Sequence, residues 1–529
     1  MNERMKIFEG ICCVAALSTV HGAMAGHSEK NSRISAEKPN IIYILADDMG
    51  YGDIGIFGQK SFNTPNLDRL AREGMIFSRH YCGGPVSSAS RCCLMTGQHL
   101  GHAAIRGNKS LPGVGVMPLD GTVPTIPEAV KVNTDYVTGM SGRWHLGGEL
   151  SEQTPYHRGF DYHFGKLSSD YANGYGVMID PLWREDGTHR PYEEYSKMHI
   201  EPMYENGKLY NLTPEEIRSD RPINMDAFVT QKALGFIEQN REKDFFLYVA
   251  YALPHSPLEF HEQTPPTGYM NEQWPATERA FASMVQALDS YVGRIMDRVD
   301  ELGLAEKTII IFTSDNGAHN EGGHSIRFFK SNGQFQGYKR DVFDGGFHAP
   351  MILRWPGTVA PGSVCDLLSA QWDVMPTVCE LAGAPIPAHT DGISFAPTLL
   401  GKKQSRKHDA LYWEFSEHPS QRRTWPRQAV VFDNWKVIRY IEEDRYEVYD
   451  LSLDVAEGND LSAQRPDIVA RGKKIMEREH SFNKYYPLFP SEGYKPSVIK
   501  DKPLPANWEI EALRQMPMSA IRALNNNRK

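Results

Sequence analysis

The sequence predicts an α/β protein in which a large, mainly parallel sheet is covered by helices on both faces and is followed by a smaller C-terminal domain of antiparallel strands and a helix. Two observations predict the large sheet: strand-like runs alternate with helix-like runs, and the strand-like runs are too continuously apolar to have a wet face. A third observation predicts the small domain. From about residue 411 the chain changes to short β-type runs separated by polar turns.

The strands of the large sheet are predicted from five apolar runs, at residues 41–46, 136–140, 245–253, 308–314 and 350–355. Helical segments lie between these runs. The clearest one has apolar residues at alternating spacings of four and three, namely Leu288, Val292, Ile295, Val299 and Leu302. This spacing places the side chains on one helix face, and Gly303 is typical of a helix end.

The chain is expected to begin with an export signal at residues 1–25. Arg4 and Lys6 precede an apolar run, and Ala23 and Ala25 form a small-residue cleavage pattern. The run is too short to cross a membrane, so no membrane span is expected. The other predicted segments are a disordered lead-in at 26–38, the large domain at 39–404, the small α+β domain at 405–484 with a helix at 466–479, and a tail at 485–529. These features predict a periplasmic or secreted protein.

Charge and cysteine usage narrow the class of function. The formal net charge is −9, and no run of lysine and arginine is present, so we expect no nucleic-acid partner. The cysteines that follow the signal have no metal-ligand spacing and are expected to be buried apolar residues.

Polar residues follow the predicted strands at the points where the strands end. Asp47 and Asp48 follow the first strand, and Asp315 and Asn316 follow the fourth. Such strand ends converge at one edge of a parallel sheet. All four side chains offer hard oxygen ligands, and adjacent buried aspartates would repel unless a cation lay between them. A site for Ca²⁺, with Mg²⁺ as the alternative, is therefore predicted.

Nitrogen-bearing side chains follow two further strand ends: Arg143 and His145 follow the second predicted strand, and His255 follows the third. His145 and His255 are suited to proton transfer near neutral pH, while Arg143 and Lys339 supply positive charge for an anionic group. These residue types together predict a site that holds and cleaves an oxyanion ester.

The chain resembles the formylglycine-dependent sulfatases of the alkaline phosphatase superfamily over almost all of the mature sequence. The signature is the stretch SSASRCCLMTG, in which Arg91 and Thr96 set the register and place Ser87 at the modified position. Cys92 and Cys93 then fall in the first turns of a helix, where the family has small packing residues. The motifs PNIIYILADDMGYGD, SGRWHLG, YALPHSP, FTSDNGAH, GYKRDVFDGG and YEVYDLSLDVAEGNDL follow the family's order.

The resemblance implies an alkaline phosphatase-like fold, a catalytic domain at 39–404, and formylglycine made from Ser87. One hydroxyl of the hydrated aldehyde, bound to the cation and facing Asp315, would attack sulfur. The second hydroxyl, deprotonated with help from His145, would expel sulfate. His255, with Lys339 beside it, would protonate the departing sugar oxygen.

Arg91 is expected to hold the hydrated aldehyde through hydrogen bonds. The chain also departs from the family pattern at three positions. Arg143 replaces a lysine, which preserves sulfate contact but changes proton handling. Ala89 replaces a proline, which the resemblance associates with serine-type members matured by an anaerobic radical enzyme. Asp344 replaces a glutamate, and we expect little effect.

The resemblance also implies sulfated saccharides as substrates, with galactose or N-acetylgalactosamine configuration. Loop residues that are candidates for contacting sugar hydroxyls, with a solvated role as the alternative for each, are His102, Arg106, Asp170 and Asn173. Two rival functions stay open. One is a phosphomonoesterase or phosphodiesterase that uses unmodified Ser87 and draws further metal ligands from His319 and His324, and the other is a catalytically silent glycan-binding protein.

Overall fold

The computed structural model describes residues 38–112, 114–148, 151–167, 203–210, 225–256, 258, 269, 272–416 and 426–494. The predicted signal peptide, all but the last residue of the predicted lead-in, and residues 495–529 of the predicted tail lie outside these ranges. Within these ranges, none of the helices has the length and apolar character needed to cross a membrane.

The strands and helices are numbered here in chain order. The strands are β1 Asn40–Ala46, β2 Met75–Phe77, β3 His80–Tyr81, β4 Ser110–Leu111, β5 Gly115–Val116, β6 Val137–Gly142, β7 Tyr162–Gly165, β8 Tyr204–Glu205, β9 Lys208–Leu209, β10 Phe245–Ala250, β11 Thr308–Ser314, β12 Met351–Arg354, β13 Ser363–Cys365, β14 Ser369–Ala370, β15 Leu411–Phe415, β16 Arg427–Phe432, β17 Trp435–Tyr440 and β18 Arg445–Asp450. The helices are α1 Pro65–Glu73, α2 Ser87–Thr96, α3 Ile126–Val130, α4 Met225–Gln239, α5 Ala276–Glu301, α6 Ile326–Phe329, α7 Asp344–Phe347, α8 Val374–Ala382, α9 Ala396–Leu399 and α10 Pro466–Glu479.

The central sheet has the strand order β13-β2-β12-β11-β1-β10-β6-β7-β8-β9. Its middle strands, β11, β1, β10, β6 and β7, run parallel to one another. The prediction of a mainly parallel sheet is therefore confirmed. The fifth predicted strand, β12, runs antiparallel to β11, a direction that a continuously apolar run does not encode.

Helices cover both faces of this sheet, as predicted. Alternate residues of β1 enter two different apolar clusters, with Tyr43 in one and Ile44 in the other. The cluster around Tyr43 includes residues of α2, α3 and α8, and the cluster around Ile44 includes residues of α1, α4 and α5. Because water reaches neither face, β1 and β10 carry nearly continuous apolar residues rather than alternating apolar and polar ones.

A separate antiparallel sheet of β15, β16, β17 and β18 forms near the C-terminus, and α10 packs against it. Gly472 of α10 allows the close approach, since a Cβ atom there would lie 2.9 Å from the side chain of Val437. This arrangement confirms the predicted antiparallel sheet and helix. The described residues belong to one compact unit, so the domain boundaries at 404 and 484 stay predictions.

Acid should destabilise this fold through two buried histidines. Burial lowers the pKa of His163 to about 3, and burial together with His348 lowers the pKa of His80 to about 3. An unfolded histidine has a pKa of about 6.5. The free energy of unfolding should therefore be at its full value above pH 6.5 and should fall as the pH decreases towards 3, by at most about 1.4 kcal/mol per pH unit for each histidine.

The His163→Leu variant tests this expectation in urea unfolding at pH 7.5 and pH 5. The loss of unfolding free energy between the two pH values should be smaller in the variant than in the wild-type protein. His157→Leu, at an exposed position, is the matched control and should keep the wild-type pH dependence. An unchanged pH dependence in His163→Leu would contradict the expectation.

Candidate active site

Neighbouring parallel strands bring the predicted site residues to one edge of the central sheet. Asp47 directly follows β1, and Asp315 directly follows β11. The backbone N–H of Asp47 donates to the oxygen of Leu253, beyond β10, at 3.0 Å, and the N–H of Asp315 donates to the oxygen of Ala46 at 3.0 Å. The strand ends therefore meet, as the parallel order requires.

Ser87 begins helix α2 at this edge. Its Oγ lies 3.1 Å from Asp47 Oδ1 and contacts Asp315 Oδ2. Arg91 Nε lies 3.5 Å from Ser87 Oγ, and Arg143 Nη1 lies 3.4 Å from it. A buried serine oxygen thus sits between two carboxylates and two guanidinium groups.

The Asp47 cluster consists of Asp47, Arg91, Arg143 and Asp315. Arg91 Nη2 lies 3.0 Å from Asp47 Oδ2 and 2.9 Å from Asp315 Oδ2, and Arg143 Nη1 also pairs with Asp47. Burial alone would raise the pKa of Asp47, but Arg143 and Arg91 outweigh it and hold that pKa well below its usual range. Asp47 is therefore ionised at neutral pH.

The Asp48 cluster consists of Asp48, Lys339, Asn316, His255 and Glu321. Asp48 has a left-handed backbone conformation, with a φ of +66°. Its side chain contacts different residues from those that Asp47 contacts. Its carboxylate lies 2.7 Å from Lys339 Nζ, 2.7 Å from Asn316 Nδ2 and 3.5 Å from His255 Nε2. Glu321 Oε2 lies 2.9 Å from Lys339 Nζ and 4.0 Å from His255 Nε2. The two adjacent aspartates thus pair with different cations, namely the guanidinium groups of Arg91 and Arg143 for Asp47 and the Lys339 ammonium for Asp48.

Of the two predicted catalytic histidines, His145 is buried and His255 is partly exposed. Burial and Arg143 lower the pKa of His145 well below its ordinary value, so the imidazole is neutral, as a general base must be. Burial and Lys339 lower the pKa of His255. His255 Nδ1 contacts the oxygen of Ser256, and this contact leaves Nε2 facing the two carboxylates of the Asp48 cluster.

The acidic side chains fit a hard divalent cation. Asn316 Oδ1 is buried and has no hydrogen-bond partner among the described residues. Burial and the neighbouring Asp47 raise the pKa of Asp315 to about 7. Asp47, Asp48 and His255 also present ligand atoms within 4.8 Å of one another. Oxygen donors in this number suit Ca²⁺ or Mg²⁺.

The predicted sugar-contacting residues have different surroundings. His102 is partly exposed, and its Nδ1 lies 2.9 Å from Asp391 Oδ1. Arg106 is buried, and its guanidinium contacts Gly101, Ala103, Glu414 and Ser481. These contacts favour a structural role for Arg106 over contact with sugar hydroxyls. Asp170 and Asn173 lie outside the described residues.

Three residues that contribute to the site were missed from the sequence. Tyr248 OH lies 3.3 Å from Arg91 Nη1, and Asp226 accepts hydrogen bonds from the N–H groups that follow β10. Glu321 completes the Asp48 cluster. Tyr248 and Asp226 lie in a strand and a helix with ordinary patterns, whereas Glu321 lies six residues after Asp315 and could have been included with the strand-end residues.

The histidines that the phosphatase alternative requires are held by other groups. His319 Nδ1 accepts the N–H of Glu321 at 3.0 Å, and Nε2 lies 3.1 Å from the oxygen of Pro254. His324 lies 2.7 Å from Glu278 and 3.3 Å from Ser331. His319 nevertheless presents a ring nitrogen within 4.8 Å of carboxylate oxygens of Asp48 and Glu321. Only His324, which pairs with Glu278, is held away from the acidic site, so the phosphatase alternative is left to experiment.

The fold, with a serine-centred acidic site at the strand ends, is alkaline phosphatase-like. Residues 39–384 match the family model described as sulfatase, and residues 333–481 match the model for the C-terminal part of N-sulphoglucosamine sulphohydrolase. The chain belongs to the sulfatase family and is a sulfuric ester hydrolase.

Named relatives agree with this assignment. The chain is 32% identical to N-acetylgalactosamine-6-sulfatase of Mus musculus over 398 residues, which cover 71% of this chain and 69% of that protein. It is 28% identical over 507 residues to N-acetylgalactosamine-6-O-sulfatase of Bacteroides thetaiotaomicron, covering 85% and 94% of the two chains. The crystal structure of Ps i-CgsB with k-i-k-neocarrahexaose shares the fold, with a TM-score of 0.68, 24% identity, and coverage of 90% of this chain and 98% of that chain.

Proposed function

We propose that this sulfatase hydrolyses sulfate esters on carbohydrates, with N-acetylgalactosamine- or galactose-configured sugars as substrates. Two of the relatives named above, from a mammal and a bacterium, are N-acetylgalactosamine-6-sulfatases. The bacterial relative is similar over most of both chains. Similarity of this extent supports a shared substrate class, and it favours the 6-sulfate of N-acetylgalactosamine as the first compound to test.

The observation that carries the proposal is the position of Ser87 Oγ between Asp47 and Asp315. We infer that Ser87 is oxidised to formylglycine by an anaerobic radical-type maturating enzyme. As a hydrated aldehyde this side chain would supply one hydroxyl for attack on sulfur and a second for release of sulfate. Cys92 and Cys93 are fully buried in α2, and burial raises the pKa of both thiols, to about 11 for Cys92, so neither is a competing nucleophile.

The residues around Ser87 would have separate roles in the reaction. Arg91 and Arg143 both lie within 3.5 Å of Ser87 Oγ, so they would stabilise negative charge on an oxygen in that position. Neutral His145 would accept the proton that must leave for sulfate to be expelled. Lys339 and His255, on the Asp48 side, would hydrogen-bond and protonate the departing sugar oxygen.

A divalent cation would be held by the carboxylates and the amide oxygen at the strand ends, together with the oxygen at position 87. Its ligands would be Asp47, Asp48, Asp315, Asn316 and the modified Ser87. When bound, the cation would supply positive charge that offsets the charge of the sulfate oxygens. Ca²⁺ is the ion that we propose, and Mg²⁺ is the alternative.

Mass spectrometry of the peptide that contains Ser87 tests the proposal. The protein would be made in an anaerobic host with a maturating enzyme, and the peptide should lose two hydrogens relative to the serine form. The same preparation should release sulfate from N-acetylgalactosamine 6-sulfate, lose this activity in a chelator, and recover it with Ca²⁺. Recovery with Mg²⁺ alone would assign the other ion.

The remaining outcomes separate the rival functions. An intact serine with activity on phosphate esters would support the phosphatase alternative. An intact serine with sugar binding but no hydrolysis would support a glycan-binding protein. Retention of an amino-terminal segment from residue 1 in exported protein would contradict the predicted cleavage after residue 25 and the proposed periplasmic or secreted location.

A further inference from the structure

We propose that Glu321 is a positioning residue for departure of the sugar: it holds the Lys339 ammonium against Asp48 in one orientation, with an N–H group left for the departing oxygen. The inference rests on the proposed function, in which Lys339 and His255 serve the leaving group. Glu321 would touch no reacting atom itself and would act through Lys339.

The geometry of Lys339 supports this role. A lysine ammonium has three N–H groups. One points to Asp48 Oδ2 at 2.7 Å and another to Glu321 Oε2 at 2.9 Å. The two carboxylates follow different strands, β1 and β11, so the ammonium is fixed from two sides. The third N–H group can then donate to a substrate oxygen in a defined direction.

Glu321 also holds the turn that carries Lys339. Its second carboxylate oxygen pairs with Arg340, which has a φ of +73°. The backbone N–H of Lys339 donates to the oxygen of Ala318, and the N–H of Arg340 donates to the oxygen of Pro85, both at 2.8 Å. Pro85 lies two residues before Ser87. The Glu321 carboxylate therefore pairs with two consecutive cations, and the backbone of the second, Arg340, is hydrogen-bonded to the segment that leads into Ser87.

The chemistry of the leaving group makes this role measurable. When the bond between sulfur and the bridging oxygen breaks, the electron pair stays on that oxygen, which takes the Nε2 proton of His255 in its imidazolium form while the Lys339 N–H donates a hydrogen bond. His255 is left as a neutral imidazole whose Nδ1–H stays on the oxygen of Ser256. A sugar alkoxide is strongly basic and needs both groups. Nitrophenolate is weakly basic and leaves without protonation. Misplacing Lys339 should therefore slow only the sugar substrate.

The Glu321→Gln variant tests the inference with N-acetylgalactosamine 6-sulfate and 4-nitrophenyl sulfate as probes. We expect kcat for the sugar to fall about tenfold or more, KM to change less than about threefold, and kcat for the aryl sulfate to stay within about twofold. Glu205→Gln is the matched control, because Glu205 of β8 also has its Oε1 2.9 Å from a lysine, Lys232 of α4, near the β9 edge of the sheet. It should leave both substrates unchanged.

A double-mutant cycle shows whether Glu321 acts through Lys339. Glu321→Gln added to Lys339→Gln should cause no further loss on the sugar substrate. Glu321→Asp keeps the negative charge on a shorter side chain. It should lower kcat for the sugar more than kcat for the aryl sulfate, as Glu321→Gln does, but by a smaller factor. It also provides a second variant should the glutamine form fail to fold.

Two results would overturn the inference while leaving the proposed function intact. In the first, the wild-type protein hydrolyses both probes, and the Glu321→Gln substitution lowers kcat for both by the same factor. The other is full additivity of the two substitutions. A wild-type protein that carries formylglycine and hydrolyses neither probe would instead overturn the proposed function, and this inference with it.

Discussion

Ser87→Ala is expected to abolish sulfate ester hydrolysis, with kcat/KM lowered about 10⁴-fold or more. The serine oxygen is the atom that Asp47, Asp315, Arg91 and Arg143 surround, and alanine has no oxygen to present to sulfur or to oxidise. The side chain is small, so the fold should persist. Sulfate release from N-acetylgalactosamine 6-sulfate, measured beside the thermal midpoint, checks both statements.

Ser90→Ala is the matched control for this prediction. Ser90 lies on the same helix and is equally buried, but its Oγ contacts Gln371 and the backbone N–H of Gly83 rather than the acidic residues. Its loss should lower stability modestly and leave turnover within about tenfold of the wild type. Comparable activity of Ser87→Ala and the wild-type protein would disprove the assigned nucleophile position.

Lys436→Met is expected to lower the free energy of unfolding by about 3–5 kcal/mol. Lys436 is fully buried, and its Nζ lies 2.7 Å from Asp344 Oδ1 and 2.7 Å from Glu457 Oε1. Methionine fills the same space but removes the ammonium that neutralises Asp344 and Glu457, so a buried carboxyl group must bind a proton for the protein to fold. Burial already raises the pKa of Glu457 to about 8 in spite of the lysine. Denaturant unfolding at pH 7.5 measures the loss.

Lys232→Met provides the comparison on the surface. Lys232 pairs with Glu205 at 2.9 Å but is 23% exposed, so water screens the pair and the cost should be at most about 1 kcal/mol. Adding Glu457→Gln to Lys436→Met should restore part of the lost stability, because glutamine does not have to bind a proton when the chain folds, as the buried carboxyl group would. Equal losses for the two lysine variants would show that the buried network contributes no more than a surface pair.

The strands and the metal-binding side of the site could be predicted because their signals are local in the sequence. A fully buried strand needs an unbroken apolar run, and a site at its end needs a polar residue at the next position, as Asp47 and Asp315 illustrate. Parallel order then brings those residues together without further information. The helix at 466–479 was also predicted at its observed bounds, from its proline at the first turn.

Other features could not be predicted because they depend on contacts between distant residues. Arg106 looked like a sugar-contacting loop residue, and only the fold brings Glu414 and Ser481 to its guanidinium. Tyr248 sits in an apolar strand where an aromatic residue is ordinary, and its contact with Arg91 depends on the packing of α2. Strand direction also escaped prediction for β12, since both of its faces are apolar in either orientation.

The buried lysine of β17 has a consequence for how this protein can be altered. Asp344, which it neutralises, lies five residues after Lys339 on the same stretch of chain, and Trp413 of the small sheet donates to the oxygen of Cys82, five residues before Ser87. Truncating the protein at residue 404 would therefore remove the contacts that hold both the segment around Asp344 and the segment around Cys82. Neither sheet is an interchangeable module, and engineering that exchanges the small one between homologues must carry these contacts along with it.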